Sequence, residues 1–255
     1  MKKVLLTIAG FDPSGGAGVL LDTAVFRRLG FHGAAVLTAL TAQGPAGVRN
    51  VRPVEPAALR SQYRALVRDL VPAGIKVGMA ATAANLAAVG RILDRHTSVP
   101  RVIDPVLRSS SGAWLLERTA VPGFLDAVRG RASLLTPNLE EAGRLSGRPV
   151  TTIADMEAAA REIFDRTGVP CLVKGGHLAG DAVNVLFDGR RVYLFGKPRL
   201  RKDVHGTGCF FSAALLAFLA RGRSLPRAGE LATEMTRNGI RAARPIGRGR
   251  AVFSV

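Results

Sequence analysis

Cysteine is nearly absent from this sequence: Cys171 and Cys209 are the only two in 255 residues. Both sit in apolar or glycine-rich surroundings, so a disulfide framework is excluded as the source of stability and a reducing compartment is expected. Long hydrophobic runs are missing too. The longest, Phe210 to Ala220, falls short of the ~20 residues that a bilayer-spanning helix needs. The opening MKKVLLTIAGFDP has the lysines and apolar run of a signal peptide, but the run stops at Asp12-Pro13 and reads as a first buried strand. The expectation is a soluble, cytoplasmic protein with no membrane partner. Although the formal charge is +17, there is no basic low-complexity tail and no aromatic interleaving. The basic residues are mostly arginine and are spread along the chain, as in GRRVYLFGKPRLRK, which argues against nucleic acid as the partner. A positive field of this kind suits a small phosphorylated substrate.

What is present is a regular alternation. VLLTIAG reads as a strand and GAGVLLDTAVFRRLG as a helix; GAAVLTAL is a strand and Pro56 to Leu70 a helix. AGIKVGM, RVIDPV, ASLLTPN and PCLVKGG read as further strands, TAANLAAVGRILDRH and Ile153 to Thr167 as helices, and AVNVLFDGRRVYLFG as a hairpin turning at Asp188-Gly189. Strands that are apolar almost throughout and alternate with helices imply an α/β fold, a mostly parallel sheet covered on both faces, here with an antiparallel edge hairpin. No repeat or linker divides residues 1–255, so one domain is expected. In such sheets ligands bind beyond the carboxyl ends of the strands. That is where the polar and glycine-rich turns fall: GFDPSGGAG, TAQG, VGM, DPV, TPNLEE, KGGH and HGTGC.

The chemistry concentrates in a few of these turns. Gly206, Thr207, Gly208 and Cys209 open a helix, where backbone N–H groups and the helix dipole converge on an anion. The loop is neither a GxxxxGK(S/T) phosphate loop nor a GxGxxG dinucleotide loop. Cys209 there has two readings, a thiolate favoured by the dipole and acting as a base, or a small residue packing the helix. Asn138 and Glu141 share one helix face and suit a hydrated Mg²⁺; they equally suit an N-cap and a first-turn acid. Asp104, before Pro105, is a second metal-side candidate or a cap. Lys174 at a strand end either reaches a nucleotide phosphate or snorkels from a turn.

Taken together, the stretches TIAGFDPSGGAG, TALTAQG, KVGM, DPV, TPNLEEA, VKGGH and HGTGC resemble, in order, the ribokinase-like superfamily. They are most similar to its vitamin-kinase branch, the hydroxymethylpyrimidine/phosphomethylpyrimidine kinases of thiamine biosynthesis. The resemblance implies a three-layer α/β/α fold and transfer of the γ-phosphoryl of ATP to the hydroxymethyl group of a small pyrimidine, and often a second transfer to its monophosphate. It implies Mg²⁺ as cofactor, leaves open a monovalent cation, and implies a homodimer. By residue, it implies Cys209 as base or orienting group and Gly206 to Cys209 as the anion hole. It implies Asp22 and Gln43 as hydrogen-bonding partners of the aminopyrimidine, with Gly10, Met79 and Val106 as pocket wall. Asn138 and Glu141 would organise Mg²⁺, and Lys174 and Gly206 would face the nucleotide. Pyridoxal kinase of the same branch and a non-catalytic pyrimidine-binding paralogue are the alternatives.

The chain departs from that pattern near the acceptor. Phe11 replaces a serine, Leu20-Leu21 a stretch with glutamine, Gly44-Pro45 an asparagine, and Asn184 an aspartate. Leu107-Arg-Ser-Ser-Ser-Gly112 lacks the lysine or threonine usual before Ser-Gly, and Arg108 is the candidate to compensate by holding a substrate phosphate.

Overall fold

The computed structural model describes residues 2–44, 47–176, 178, 181–247 and 249–255. Of the sequence expectations, His177 in the KGGH turn and Pro45 lie outside them. β1 (Val4–Phe11) leads to α1 (Gly18–Arg28), β2 (His32–Gly44) to β3 (Gly47–Pro53) and α2 (Pro56–Val67), and β4 (Pro72–Val77) to α3 (Ala83–Leu93). β5 (Arg101–Ile103) precedes α4 (Phe124–Val128), and β6 (Leu134–Leu135) precedes α5 (Leu139–Ser146) and α6 (Ile153–Thr167). Then come β7 (Cys171–Val173), β8 (Ala182–Phe187), β9 (Val192–Lys197), α7 (Thr207–Ala220) and α8 (Leu225–Ala242). A short antiparallel ribbon, β10 (Arg244–Pro245) with β11 (Ala251–Val252), follows.

Nine strands form one sheet in the order β3-β2-β1-β4-β5-β6-β7-β8-β9. The run from β2 to β7 is parallel throughout. The expected late hairpin is present: β8 pairs antiparallel with both β7 and β9. A second antiparallel edge was not anticipated. β3 pairs with β2, although GVRNVRP buries little. Backbone pairing to β2, rather than side-chain burial, holds it.

Alternation along β1 builds the two cores. Leu5 faces one side, with Leu21 and Phe26 of α1, Phe210 and Leu215 of α7 and Ala228 of α8. Leu6 and Ile8 face the other, with Leu59, Leu86, Phe124, Ala142 and Ile163 from α2 to α6. Each such side chain contributes roughly 1.5–3 kcal/mol by leaving water. α7 is apolar all round because it is covered all round; Phe210 to Phe218 are buried without a break. α8 was hidden in an arginine-rich segment, and only Ala228, Gly229, Ala232 and Thr233 of it are buried. Among the described residues no helix is long and apolar enough to cross a membrane.

Candidate active site

The parallel strands all end on the same side of the sheet, and the chemistry-bearing turns meet there. α7 starts at that end with Gly206 as its N-cap, in the left-handed region at φ +78°. A side chain at 206 is excluded twice over, since a Cβ there would lie 1.9 Å from the carbonyl oxygen of Gly16. The turn after β1 and the loop opening α7 are thus docked backbone to backbone. With no side-chain cap on α7, its first N–H groups remain available to an anion.

Lys174 lies under this loop. A Cβ at Gly208 would stand 3.0 Å from Lys174 Nζ, so the glycine lets the loop approach the cation. Lys174 Nζ donates to Asp104 Oδ1 at 2.5 Å, and Asp104 Oδ2 accepts from the buried Ser212 hydroxyl of α7 at 3.2 Å. Burial pulls the Lys174 pKa down, but Asp104 and Glu141 outweigh it and the ammonium is held. Asp104 was a metal-side candidate; the structure instead employs its oxygens on Lys174 and Ser212, with Thr136 Oγ1 at 3.4 Å. Its place is as the counter-charge of the loop's cation.

Asn138 and Glu141 form a reciprocal capping box on α5. Asn138 Oδ1 accepts from the Glu141 amide at 2.9 Å, and Glu141 Oε2 accepts from the Asn138 amide at 2.8 Å. The bland alternative for this pair is therefore realised. It does not exhaust Glu141, which is buried and whose pKa rises to about 8 through that burial, with Lys174 opposing and Asp104 reinforcing. Among the described residues no three His, Cys, Asp or Glu side chains converge to grip a metal. A few carboxylates beside an anion-binding loop do fit Mg²⁺, which keeps most of its waters and shares phosphate oxygens.

The acceptor side is apolar with a polar rim. Met79 is buried with Ala39 and Ala81, and Val106, Val51 and Leu115 pack against them. Gly10 borders the same wall: a Cβ there would be 2.8 Å from Met79 Sδ. Gln43 stands at the end of β2, its amide nitrogen 3.0 Å from His205 Nε2, and the same His205 atom is 2.8 Å from Asp12 Oδ2. His205, not singled out in the sequence, joins the turns after β1 and β2 to the loop of α7. Burial raises the Asp12 pKa, but hydrogen bonds from His205 and Ser14 prevail and hold it below the ordinary carboxylate value.

Asp22 lies close enough to the start of α7 for its charge and that of Lys76 to act on Cys209. It is fully buried; Lys76 Nζ approaches its two oxygens at 3.0 and 2.8 Å, and Thr7 donates to Oδ2 at 2.6 Å. With its carboxylate so occupied, Asp22 balances the buried charge of Lys76. Lys76 is equally buried, and its signal was in the sequence: a lysine inside the apolar strand GIKVGM. Burial lifts the Asp22 carboxyl above its ordinary value against the pull of Lys76.

Cys209 sits in the first turn of α7, half-buried. The expected thiolate is not favoured. Burial raises the thiol's pKa; Lys76 and the Gly18 amide lower it, while Asp22 and Asp104 raise it further. Two sequence departures are absorbed locally. Asn184 accepts from the Gly175 amide at 3.1 Å and donates to Thr233 at 3.0 Å. Arg108 is committed elsewhere, to Gly112 and Glu140.

This arrangement can hold a phosphoryl group at Gly206 to Cys209, place a cation beneath it, and seat a small flat molecule against Met79 and Val106. Comparison with known proteins agrees. The chain is 40% identical over 96% of its length to the thiamine biosynthesis bifunctional protein ThiED of Geobacter sulfurreducens, of which it spans 50%. It is 39% identical, over 96% of its length and 91% of the relative's, to a hydroxymethylpyrimidine/phosphomethylpyrimidine kinase of Streptomyces coelicolor. The fold is shared with the pyridoxal kinase of Staphylococcus aureus in complex with AMP-PCP, with a TM-score of 0.90 and 29% identity across 99% of this chain and 93% of that one. The family model described as phosphomethylpyrimidine kinase matches residues 12–254, and with loop, cation and pocket in register the chain belongs to that family.

Proposed function

We propose that the chain transfers the γ-phosphoryl group of ATP to the hydroxymethyl group of 4-amino-5-hydroxymethyl-2-methylpyrimidine and to its monophosphate, as a kinase of thiamine biosynthesis. The observation that carries this reading is the meeting of the uncapped N-terminus of α7 with Lys174 and Asp104, facing the Met79–Val106 wall and Gln43. Gln43 offers the donor and acceptor that an aminopyrimidine edge requires. The α7 amides and Lys174 bear on the charge spread over the transferring group, which is where catalysis of phosphoryl transfer chiefly lies. Glu141, with Asn138 positioning it, would hold Mg²⁺ through water. Bound there, the ion would neutralise phosphate charge. Cys209 orients the acceptor hydroxyl and, in the thiolate form that burial disfavours at rest, takes its proton as the new P–O bond forms, becoming the thiol.

Pyridoxal is the second reading, favoured by the close structural likeness to a pyridoxal kinase. The two are separated by kcat/KM measured for the pyrimidine alcohol and pyridoxal under identical ATP and Mg²⁺. A higher value for the pyrimidine is expected; a pyridoxal value tenfold greater would reverse the assignment.

A further inference from the structure

A small cavity opens beside Gln43, with Ser109, Ser110, Ser111, His205 and Arg250 in its lining. We propose that Arg250 and the three serine hydroxyls receive the phosphate of an acceptor that is already phosphorylated; this rests on the reading given above. Arg108, the cation the sequence offered for this task, is spent. Its guanidinium donates to the Gly112 carbonyl at 2.8 and 3.1 Å and to Glu140 at 3.0 Å, and it stacks 5.4 Å from the centre of Trp114. Arg250 arrives from the far end of the chain, just before β11, and donates to the Ser110 hydroxyl. Among the described residues its carboxylate partner is Asp203 at 2.8 Å, whose side chain is 69% exposed, so solvent screens the pair. Ser109 and Ser111 are hydrogen-bonded to each other at 2.9 Å, and their hydroxyls can turn to donate.

The cavity is about 20 Å³, room for a water. A phosphate seats there by taking over the contact that Arg250 now makes to Ser110. Position gives the site its meaning. His205 lies in the cavity wall and immediately precedes Gly206, so a phosphate held there stands beside the loop that cradles the transferring group. Phosphorylation of a monophosphate needs this geometry. A phosphate oxygen forms the bond to the γ-phosphorus, the bond from that phosphorus to the β,γ-bridging oxygen breaks, and ADP leaves with the electron pair. The attacking oxygen of the dianion has no proton to lose. A guanidinium on the side away from the loop holds the other oxygens and offsets the repulsion between two phosphates.

The test compares Arg250→Gln, Arg250→Lys and wild type on the pyrimidine alcohol and on its monophosphate. Loss of a charge-assisted bidentate contact predicts a fall of roughly 10- to 100-fold in kcat/KM for the monophosphate in Arg250→Gln, mostly through KM. Arg250→Lys should recover part of it, and the alcohol should change less than about threefold. An equal loss on both acceptors would make Arg250 a latch for the serine loop and overturn the proposal, as would no loss on either. Inorganic phosphate serves as a probe independent of turnover. It should raise the melting temperature of wild type more than that of Arg250→Gln. If wild type turned over neither acceptor, the functional reading would fall, and an equal phosphate-induced shift in both proteins would then dispose of the site as well.

Discussion

Lys174→Met is the perturbation the structure makes most quantitative. The side chain is 13% exposed, its ammonium lies 2.5 Å from Asp104, and the Asp104 side chain is 2% exposed. Truncation leaves Asp104 buried, its remaining hydrogen bonds among the described residues coming from the Ser212 and Thr136 hydroxyls. Stranding one partner of a buried ion pair costs roughly 3–5 kcal/mol. A domain of this size loses about 2–4 °C of melting temperature per kcal/mol, so a drop of roughly 6–20 °C is expected at pH 7. One control follows from the same reasoning: Asp104→Asn in the same chain should restore at least half of the loss. Turnover should stay low in both variants, because the cation beneath the loop is gone. Thermal unfolding at pH 7 with a coupled ADP assay reads all of this. A drop below about 2 °C, or a double variant no more stable than the single, would refute the claim that the pair is a buried charge couple.

Other expectations are as direct. Cys209→Ala should lower kcat on the alcohol by about 10²–10⁴ with the Kd of ATP unchanged, and should spare the monophosphate, whose attacking oxygen needs no base; equal losses on both acceptors would assign Cys209 to packing. Gly206→Ala should destabilise the fold and abolish turnover, since its Cβ meets the Gly16 carbonyl oxygen at 1.9 Å; a soluble, active variant would contradict the docking of the two loops. Glu141 has its pKa raised to about 8 in the folded state from an ordinary value near 4.5, so the native state holds the extra proton between these values. Its contribution is therefore present at low pH and lost as pH rises toward 8, and the melting temperature of wild type relative to Glu141→Gln should fall from pH 5 to 8 and then level. A flat difference across that range would show that Glu141 is ionised throughout.

Much of the molecule was legible because the sequence stated it twice, as pattern and as punctuation. Ile153–Thr167 is the helix read from the sequence, with Thr152 and Asp155 forming its capping box and Gly168 its left-handed C-cap. The strand-end turns pointed to one cleft because a parallel sheet leaves them no other place to go. What the sequence withheld was held by other forces. β3 is an edge held by backbone bonds, which leave no hydrophobic signature. α8 shows its buried side through alanine and glycine, a weak signal among arginines. In the site, partners distant in the chain were the hidden part. The spacing of Asp22, Lys76 and Thr7 carries no hint of their bonds, nor does that of His205, Asp12 and Gln43. For Cys209 the dipole can be read from a helix start, whereas desolvation depends on what folds over it.

The central claim is that the loop of α7, Lys174 and the Met79 wall together pass a phosphoryl group to a hydroxymethyl-bearing ring. Its most direct test is to incubate the protein with ATP, Mg²⁺ and the pyrimidine alcohol or its monophosphate, and to read the product masses while following ADP. The account predicts that each acceptor gains one phosphoryl group for each ADP formed. ADP formation that does not depend on an acceptor, or unchanged acceptor masses in a protein that still binds the pyrimidine, would contradict it.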